Sequence, residues 1–83
     1  MKKIVFHSDP GHAWVEAPVS ELVKYGIADK ISVYSYRKGL MAYLEEDCDA
    51  GVYIKALEAS GVNFEFVEKY EEYTPIRNYP SYY

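Results

Sequence analysis

The chain has 83 residues, which is enough for one domain and too few for two. Its net charge of −4 argues against binding along a nucleic-acid backbone, which requires clustered lysine and arginine side chains. The chain has a single cysteine and therefore no internal disulfide. Its apolar N-terminal run stops too early for a signal peptide, and no stretch reaches the about 20 apolar residues of a membrane span. We therefore predict a cytoplasmic protein.

The first third of the chain predicts a hairpin followed by a helix. Residues 2–7 mix β-branched and aromatic side chains and predict a strand. The turn Ser8-Asp9-Pro10-Gly11 follows, since proline fixes its own φ and glycine accepts a positive φ. Alternation over 12–17 predicts a second strand. A short helix over 18–25 then ends at Gly26.

The middle of the chain predicts a second hairpin. Alternating residues over 31–36 indicate a third strand, and Arg37-Lys38-Gly39 is typical of a hairpin turn. The chain returns as a fourth strand over 40–45. Asp47 or Asp49 then caps a second helix, because a short carboxylate accepts hydrogen bonds from the free N–H groups at a helix start.

Gly61 ends the second helix, and residues 62–70 predict a last strand. The fold class is therefore α+β in the order β-β-α-β-β-α-β, as an antiparallel sheet with two helices packed on one face. We predict a single domain over 1–73. Residues 74–83 form a Tyr/Pro-rich C-terminal tail that we expect to dock, since a disordered tail is usually poorer in aromatic residues.

Two histidines flank the first turn. If the turn is a four-residue loop, the imidazoles of His7 and His12 face each other and could contact an anion or a metal ion. The simpler reading, which we favour, is that they are ordinary hairpin residues, and we predict no metal site. Trp14 shares a strand face with His12 and Glu16, so it either anchors the core or lines a pocket.

The acidic run from Glu45 to Asp49 could attract a divalent cation, but a helix start favours negative charge without one. Neighbouring carboxylates raise the pKa expected for the Cys48 thiol and argue against a nucleophile. We find no nucleophile–base pair, phosphate loop or metal cluster. The sequence therefore predicts a protein that is not an enzyme, with no catalytic residue and no cofactor.

Ten tyrosines in 83 residues exceed ordinary usage, and three of them lie in the tail. Tyrosine combines a large ring with a polar tip and is common at interfaces and ligand sites. Arg77 is the natural contact for a phosphate or carboxylate group. The tail could pack on its own domain, on a second subunit or on a ligand, and these three possibilities stay open.

Four segments together resemble a set of small proteins encoded by bacteriophages and plasmids. They are HSDPGHAW at 7–14, GIADKIS at 26–32 with YSY at 34–36, AYLEEDCDA at 42–50, and IRNY at 76–79. The resemblance spans nearly the whole chain and carries over no catalytic residue. It implies an accessory protein that acts against host defence, either by binding a host protein or by sequestering a nucleotide signal.

We therefore predict a cytoplasmic protein that binds and sequesters a small anionic, nucleotide-like ligand, in a pocket shared between the subunits of a homo-oligomer. The alternative is a protein–protein inhibitor of a host defence enzyme. The predicted ligand-binding residues are His7, His12, Trp14, Tyr36, Arg37, Arg77, Tyr79 and Tyr82.

Overall fold

The computed structural model describes residues 1–83 and contains a five-stranded sheet and two helices. Neither helix has the length and hydropathy that a membrane span requires. Single turns of 3-10 helix occur at Ala28–Lys30 and Pro75–Asn78. The strands are β1 (Lys2–Ser8), β2 (Ala13–Pro18), β3 (Tyr36–Lys38), β4 (Met41–Glu45) and β5 (Phe64–Tyr70), and the helices are α1 (Val19–Lys24) and α2 (Ala50–Ala59).

The strands lie in the order β3-β4-β2-β1-β5. The predicted α+β class with two helices is confirmed, and three of the four neighbouring strand pairs are antiparallel. The prediction of a wholly antiparallel sheet is wrong, because β5 runs parallel to β1 from Lys2–Phe64 to Ser8–Tyr70. A parallel neighbour needs a long crossover connection, and here the intervening segments, α2 among them, provide it.

The first hairpin is set by the carboxylate of Asp9. Ser8 pairs with Ala13, so the loop consists of Asp9 to His12. Asp9 Oδ1 accepts hydrogen bonds from the backbone N–H groups of Gly11 and His12 at 2.9 and 2.8 Å. This side-chain turn fixes the loop from within, as aspartate does in many tight turns.

The third strand is shorter and later than predicted. It begins only at Tyr36, and Arg37 and Lys38 belong to it rather than to the turn. The Asp49 carboxylate accepts hydrogen bonds from the N–H and hydroxyl of Ser32 and from the hydroxyl of Ser35. These bonds hold the segment before Tyr36 in a turn. The strand predicted there from the alternating pattern therefore does not form.

The sheet and both helices contribute to the core. One apolar cluster joins Ile4 and Leu44 of the sheet to Leu22 of α1 and Leu57 of α2. Fully burying such side chains stabilises a fold by about 1.5–3 kcal/mol each.

A polar network crosses the edge of this core. The Glu21 carboxylate of α1 accepts hydrogen bonds from Lys2 Nζ at 2.6 Å and from the Tyr53 hydroxyl at 2.7 Å. Burial, together with the hydrogen bond to Glu21, raises the pKa of the Tyr53 phenol. The phenol is thus a hydrogen-bond donor that ties α2 to α1, while Lys2 ties β1 to the same carboxylate.

Opposed residues on neighbouring strands share a face of the sheet. Four opposed pairs place six polar and aromatic residues together: His7–Trp14, Trp14–Glu45, Glu16–Tyr43 and Tyr36–Tyr43. We call this set the aromatic face; its members are His7, Trp14, Glu16, Tyr36, Tyr43 and Glu45.

Residues 74–83, the C-terminal tail, fold back over the aromatic face. Ile76 is buried, and the ring centroid of Tyr79 lies 5.1 Å from that of Tyr43. Lys38 Nζ lies 4.7 Å from the centroid of the same Tyr79 ring, within the range of a cation–π contact. The tail therefore forms part of the packed domain.

The end of the tail pairs with the strand at the edge of the sheet. The backbone N–H of Arg37 donates to the Pro80 carbonyl at 2.9 Å, and the N–H of Tyr82 donates to the Ser35 carbonyl at 2.9 Å. The Tyr82 hydroxyl donates to the Ala28 carbonyl at 2.7 Å. Tyr82 thereby joins the hydrophobic core, and part of the β3 edge is covered.

Candidate functional site

A cavity of about 300 Å³ opens beside the start of β2. The first turn, the segment before β3, the loop after β4 and the tail each contribute to its walls. Its lining residues are His12, Trp14, Tyr34, Tyr36, Glu45, Asp47, Cys48 and Arg77. The expectation of a pocket shared between subunits stays a prediction.

Trp14 forms the inner wall. It is 2% exposed, and its ring packs edge-on to Tyr36 at 6.3 Å and tilted to His12 at 6.1 Å. The Arg77 guanidinium carbon lies 5.6 Å from the same ring. The indole Nε1 is the one buried side-chain nitrogen or oxygen without a hydrogen-bond partner. Trp14 is thus both a core residue and a cavity wall with an unused donor.

Arg77 is held by the first turn. Its Nε and Nη2 bind the two carboxylate oxygens of Asp9 at 2.5 and 3.0 Å. The Arg77 hydrogen bond is the main cause that lowers the pKa of Asp9 far below its usual range. In return, the Asp9 carboxylate raises the pKa of the Arg77 guanidinium. The predicted anion contact therefore already has an internal carboxylate partner, although 46% of its side chain is exposed.

Glu45 organises the acidic loop at the other side of the cavity, which runs from Glu45 to Asp49. Its Oε2 accepts hydrogen bonds from the backbone N–H groups of Asp47 and Cys48, both at 2.9 Å. Its Oε1 lies 3.9 Å from His12 Nδ1. The carboxylates of Glu45, Glu46 and Asp47 come within 4.8 Å of one another. This cluster is built around backbone hydrogen bonds and does not by itself indicate a metal site.

The predicted helix cap is wrong in detail. Asp49 occupies the position before α2, but its carboxylate makes no hydrogen bond to the helix. It instead accepts from Ser32 and Ser35, so it anchors the loop before β3. This loop carries Tyr34 into the cavity wall, and Asp49 therefore positions a candidate ligand contact.

Cys48 is exposed, but its surroundings disfavour the thiolate form. A hydrogen bond with Glu45 is the main cause that raises the pKa of the thiol, and partial desolvation and the charges of Glu45, Asp49 and Asp47 add to it. The thiolate is the nucleophile in alkylation, so a raised pKa lowers its fraction at neutral pH.

We expect iodoacetamide to alkylate Cys48 more slowly at pH 8 than it alkylates an unstructured cysteine peptide. The reaction should accelerate modestly in Asp47→Asn, because that change removes one of the negative charges that raise the thiol pKa. Mass spectrometry of timed samples measures both rates. A Cys48 rate equal to that of the peptide would contradict the raised thiol pKa.

The two predicted histidines do not form one site. The strand register sets His7 opposite Trp14 rather than opposite His12. His7 Nε2 lies 3.0 Å from Glu16 Oε1, and its ring packs against Tyr43. His12 is half-exposed and lines the cavity. The expectation of facing imidazoles is therefore wrong, because the loop begins one residue later than predicted.

The structure gathers half of the eight predicted ligand residues around the cavity, namely His12, Trp14, Tyr36 and Arg77. Arg37 is exposed, while Tyr79 packs on Tyr43 and Tyr82 enters the core. These three, like His7, lie outside the cavity lining.

The sequence reasoning missed Tyr34, Glu45, Asp47 and Cys48 as members of this site. The sequence showed the acidic run, but not that it lies next to Trp14. That follows only from the pairing of β2 with β4, which sets Trp14 opposite Glu45.

Comparisons with protein-family models, with curated proteins and with solved structures find no match to this chain.

Proposed function

We propose that this protein binds a small nucleotide-like ligand in the cavity. The observation that carries the proposal is the combination of Trp14, Tyr34 and Tyr36 around one opening with a cation beside them. Aromatic faces bind bases by stacking, which contributes about 1–3 kcal/mol per base. A cavity of about 300 Å³ is at the small end of ligand sites and suits a nucleoside or a mononucleotide.

The charges of the lining limit how anionic the ligand is. Glu45 and Asp47 place carboxylates in the wall, and the charge of Arg77 is partly offset by Asp9. A base that offers N–H donors suits the carboxylates, while one phosphate group suits Arg77 and His12. We therefore favour a ligand with a single phosphate over a polyphosphate.

The biological part of the proposal is sequestration. In the cytoplasm of a bacterial host, an accessory protein of a phage or plasmid would withdraw such a ligand from a defence system. The resemblance of the sequence to small phage and plasmid proteins supports this setting. Binding rather than catalysis is supported by the raised pKa of the cavity's thiol at Cys48.

Tryptophan fluorescence tests the proposal directly, because Trp14 is the chain's only tryptophan and lies in the cavity wall. We expect a nucleoside monophosphate to quench it with saturation. Tyr34→Ala should weaken binding roughly tenfold, since stacking on this 66% exposed ring is lost without loss of core packing. Calorimetry confirms the affinities.

Tyr70→Ala is the matched control, because Tyr70 is similarly exposed but lies outside the cavity. It should bind as the wild-type protein does. If nucleosides and their monophosphates, each at about 1 mM, change neither the fluorescence nor the melting temperature, the proposal is wrong.

A second candidate is inhibition of a host defence protein. The cavity exposes Tyr34, and the Asp47 carboxylate lies in the same lining. Aromatic residues are common in the centres of protein interfaces. Co-purification of one stoichiometric host protein, lost in Tyr34→Ala, would favour this candidate over ligand sequestration.

We propose that both helices pack on one face of the sheet, which the shared cluster of Ile4, Leu22 and Leu57 supports. We also propose that the protein acts as a homo-oligomer, since small domains often gain stability by association.

A further inference from the structure

The strand at the far end of the sheet has an unpaired outer edge. β5 is the last strand in the sheet order, opposite the end formed by β3. Six of its seven residues are exposed, among them Phe66 and Val67. Proteins usually protect a long edge of this kind with charged side chains, a bulge, a proline or a cover, because it can pair with another chain, and β5 has only the charged side chains.

The ladder to β1 determines which backbone groups point outward. Lys2 donates its N–H to the Asn63 carbonyl, and Glu71 donates its N–H to the Ser8 carbonyl. In a parallel ladder, alternate residues face the neighbouring strand. The odd-numbered residues of β5 therefore bond to β1. The N–H and C=O groups of Phe64, Phe66, Glu68 and Tyr70 face outward.

We infer that β5 pairs antiparallel with β5 of a second copy of this chain, with Val67 opposite Val67 on the twofold axis. The proposal goes beyond ligand binding and names the interface of the proposed homo-oligomer. In this register the outward backbone groups of Phe66 meet those of Glu68 of the partner subunit, so the ladder continues without a gap.

Charge complementarity selects the register. With Val67 on the axis, Glu65 stands opposite Lys69 of the partner subunit, and the twofold axis repeats the pair. Opposite charges at facing positions stabilise a strand pair, and like charges weaken it. A shift that centres Glu68 places two carboxylates together. A shift that centres Phe66 places Glu65 opposite Val67 of the partner subunit.

Both charges are available for this contact. Within the chain, Lys69 forms an ion pair with Glu71, and Glu65 forms one with Lys3. Both pairs are exposed, and the nitrogen–oxygen distance is 3.6 Å in each. Exposed pairs of this kind contribute little to stability. On the other side of the sheet, Phe64 stands opposite Tyr70 of the partner subunit, which brings two aromatic residues together.

The interface would leave the ligand cavity open. The cavity lies beside β2, β3 and β4, whereas β5 is separated from β2 by β1. Ligand binding and dimer formation should therefore be independent, and either can fail without the other. This separates the present inference from the function proposed above.

Sedimentation equilibrium on the full chain tests the interface. We expect the wild-type protein to form a dimer that dissociates on dilution. Lys69→Glu should raise the dissociation constant roughly tenfold or more, because it sets two pairs of like charges opposite each other. The double variant Glu65→Lys/Lys69→Glu restores both pairs in reverse and should return the constant to within about threefold of wild type.

Lys55→Glu on α2 is the matched control, since it makes the same charge change on an exposed residue away from β5. It should leave the dimer unchanged, and circular dichroism checks that each variant is folded. A wild-type protein that stays monomeric at about 1 mM would overturn the inference. So would a dimer that Lys69→Glu leaves intact, or one that the double variant does not restore.

Discussion

Deletion of residues 74–83 should leave a chain that does not fold stably. The tail provides the buried Ile76 and Tyr82 and the guanidinium that pairs with Asp9. Each of the two buried side chains contributes about 1.5–3 kcal/mol, and a small domain has only about 5–15 kcal/mol in total. Circular dichroism during urea titration should show no cooperative transition, or one at a much lower urea concentration.

Two milder variants locate the cause. Ile76→Ala should reduce the free energy of unfolding by about 2–4 kcal/mol, as expected for a large apolar side chain removed from a packed site. Removal of Tyr83 alone should change stability little, since its side chain is mostly exposed. If the chain without residues 74–83 unfolds at the wild-type urea midpoint, the tail is not part of the folded domain.

Replacement of Asp9 by asparagine should remove part of the acid sensitivity of the fold. The native pKa of Asp9 lies well below the value of about 3.9 expected in the unfolded chain, chiefly because of Arg77. The carboxylate therefore stabilises the fold fully above about pH 4 to 5, and this contribution is lost as the pH falls toward the native pKa. The stability gap between wild type and variant should narrow over that range.

At pH 7, Asp9→Asn should lower the melting temperature by about 10 °C, because Arg77 loses its carboxylate partner and the first turn loses charge-assisted hydrogen bonds. Melting curves at pH 7, 5 and 3 measure the effect. Glu71→Gln is the control, since its contact with Lys69 is exposed and should matter little. A gap that is constant from pH 7 to pH 3 would contradict the lowered Asp9 pKa.

Local patterns in the sequence predicted much of the fold. Alternation located β2, and the glycine at position 61 correctly marked the end of α2, because both signals depend only on neighbouring residues. The strand predicted before β3 was wrong because the hydroxyls of Ser32 and Ser35 donate to the carboxylate of Asp49, which is distant in sequence. The parallel pairing of β5 with β1 was not predicted, because the pairing of strands remote in sequence depends on the whole topology.

The candidate site shows the same division. Trp14 and Tyr36 were selected by residue type, and both line the cavity. Arg77 was also selected by residue type, but this could not show that its guanidinium already pairs with Asp9. That contact joins positions 68 residues apart, and no local pattern in the sequence contains it.

The same contact has a consequence for how the protein is made. On the ribosome, β1 emerges long before β5 and before Arg77, although both must reach the N-terminal hairpin. The domain can complete its structure only after residues 74–83 have left the exit tunnel. Until then the nascent chain exposes Trp14 and the edge of β1, which makes it a candidate for chaperone binding during synthesis.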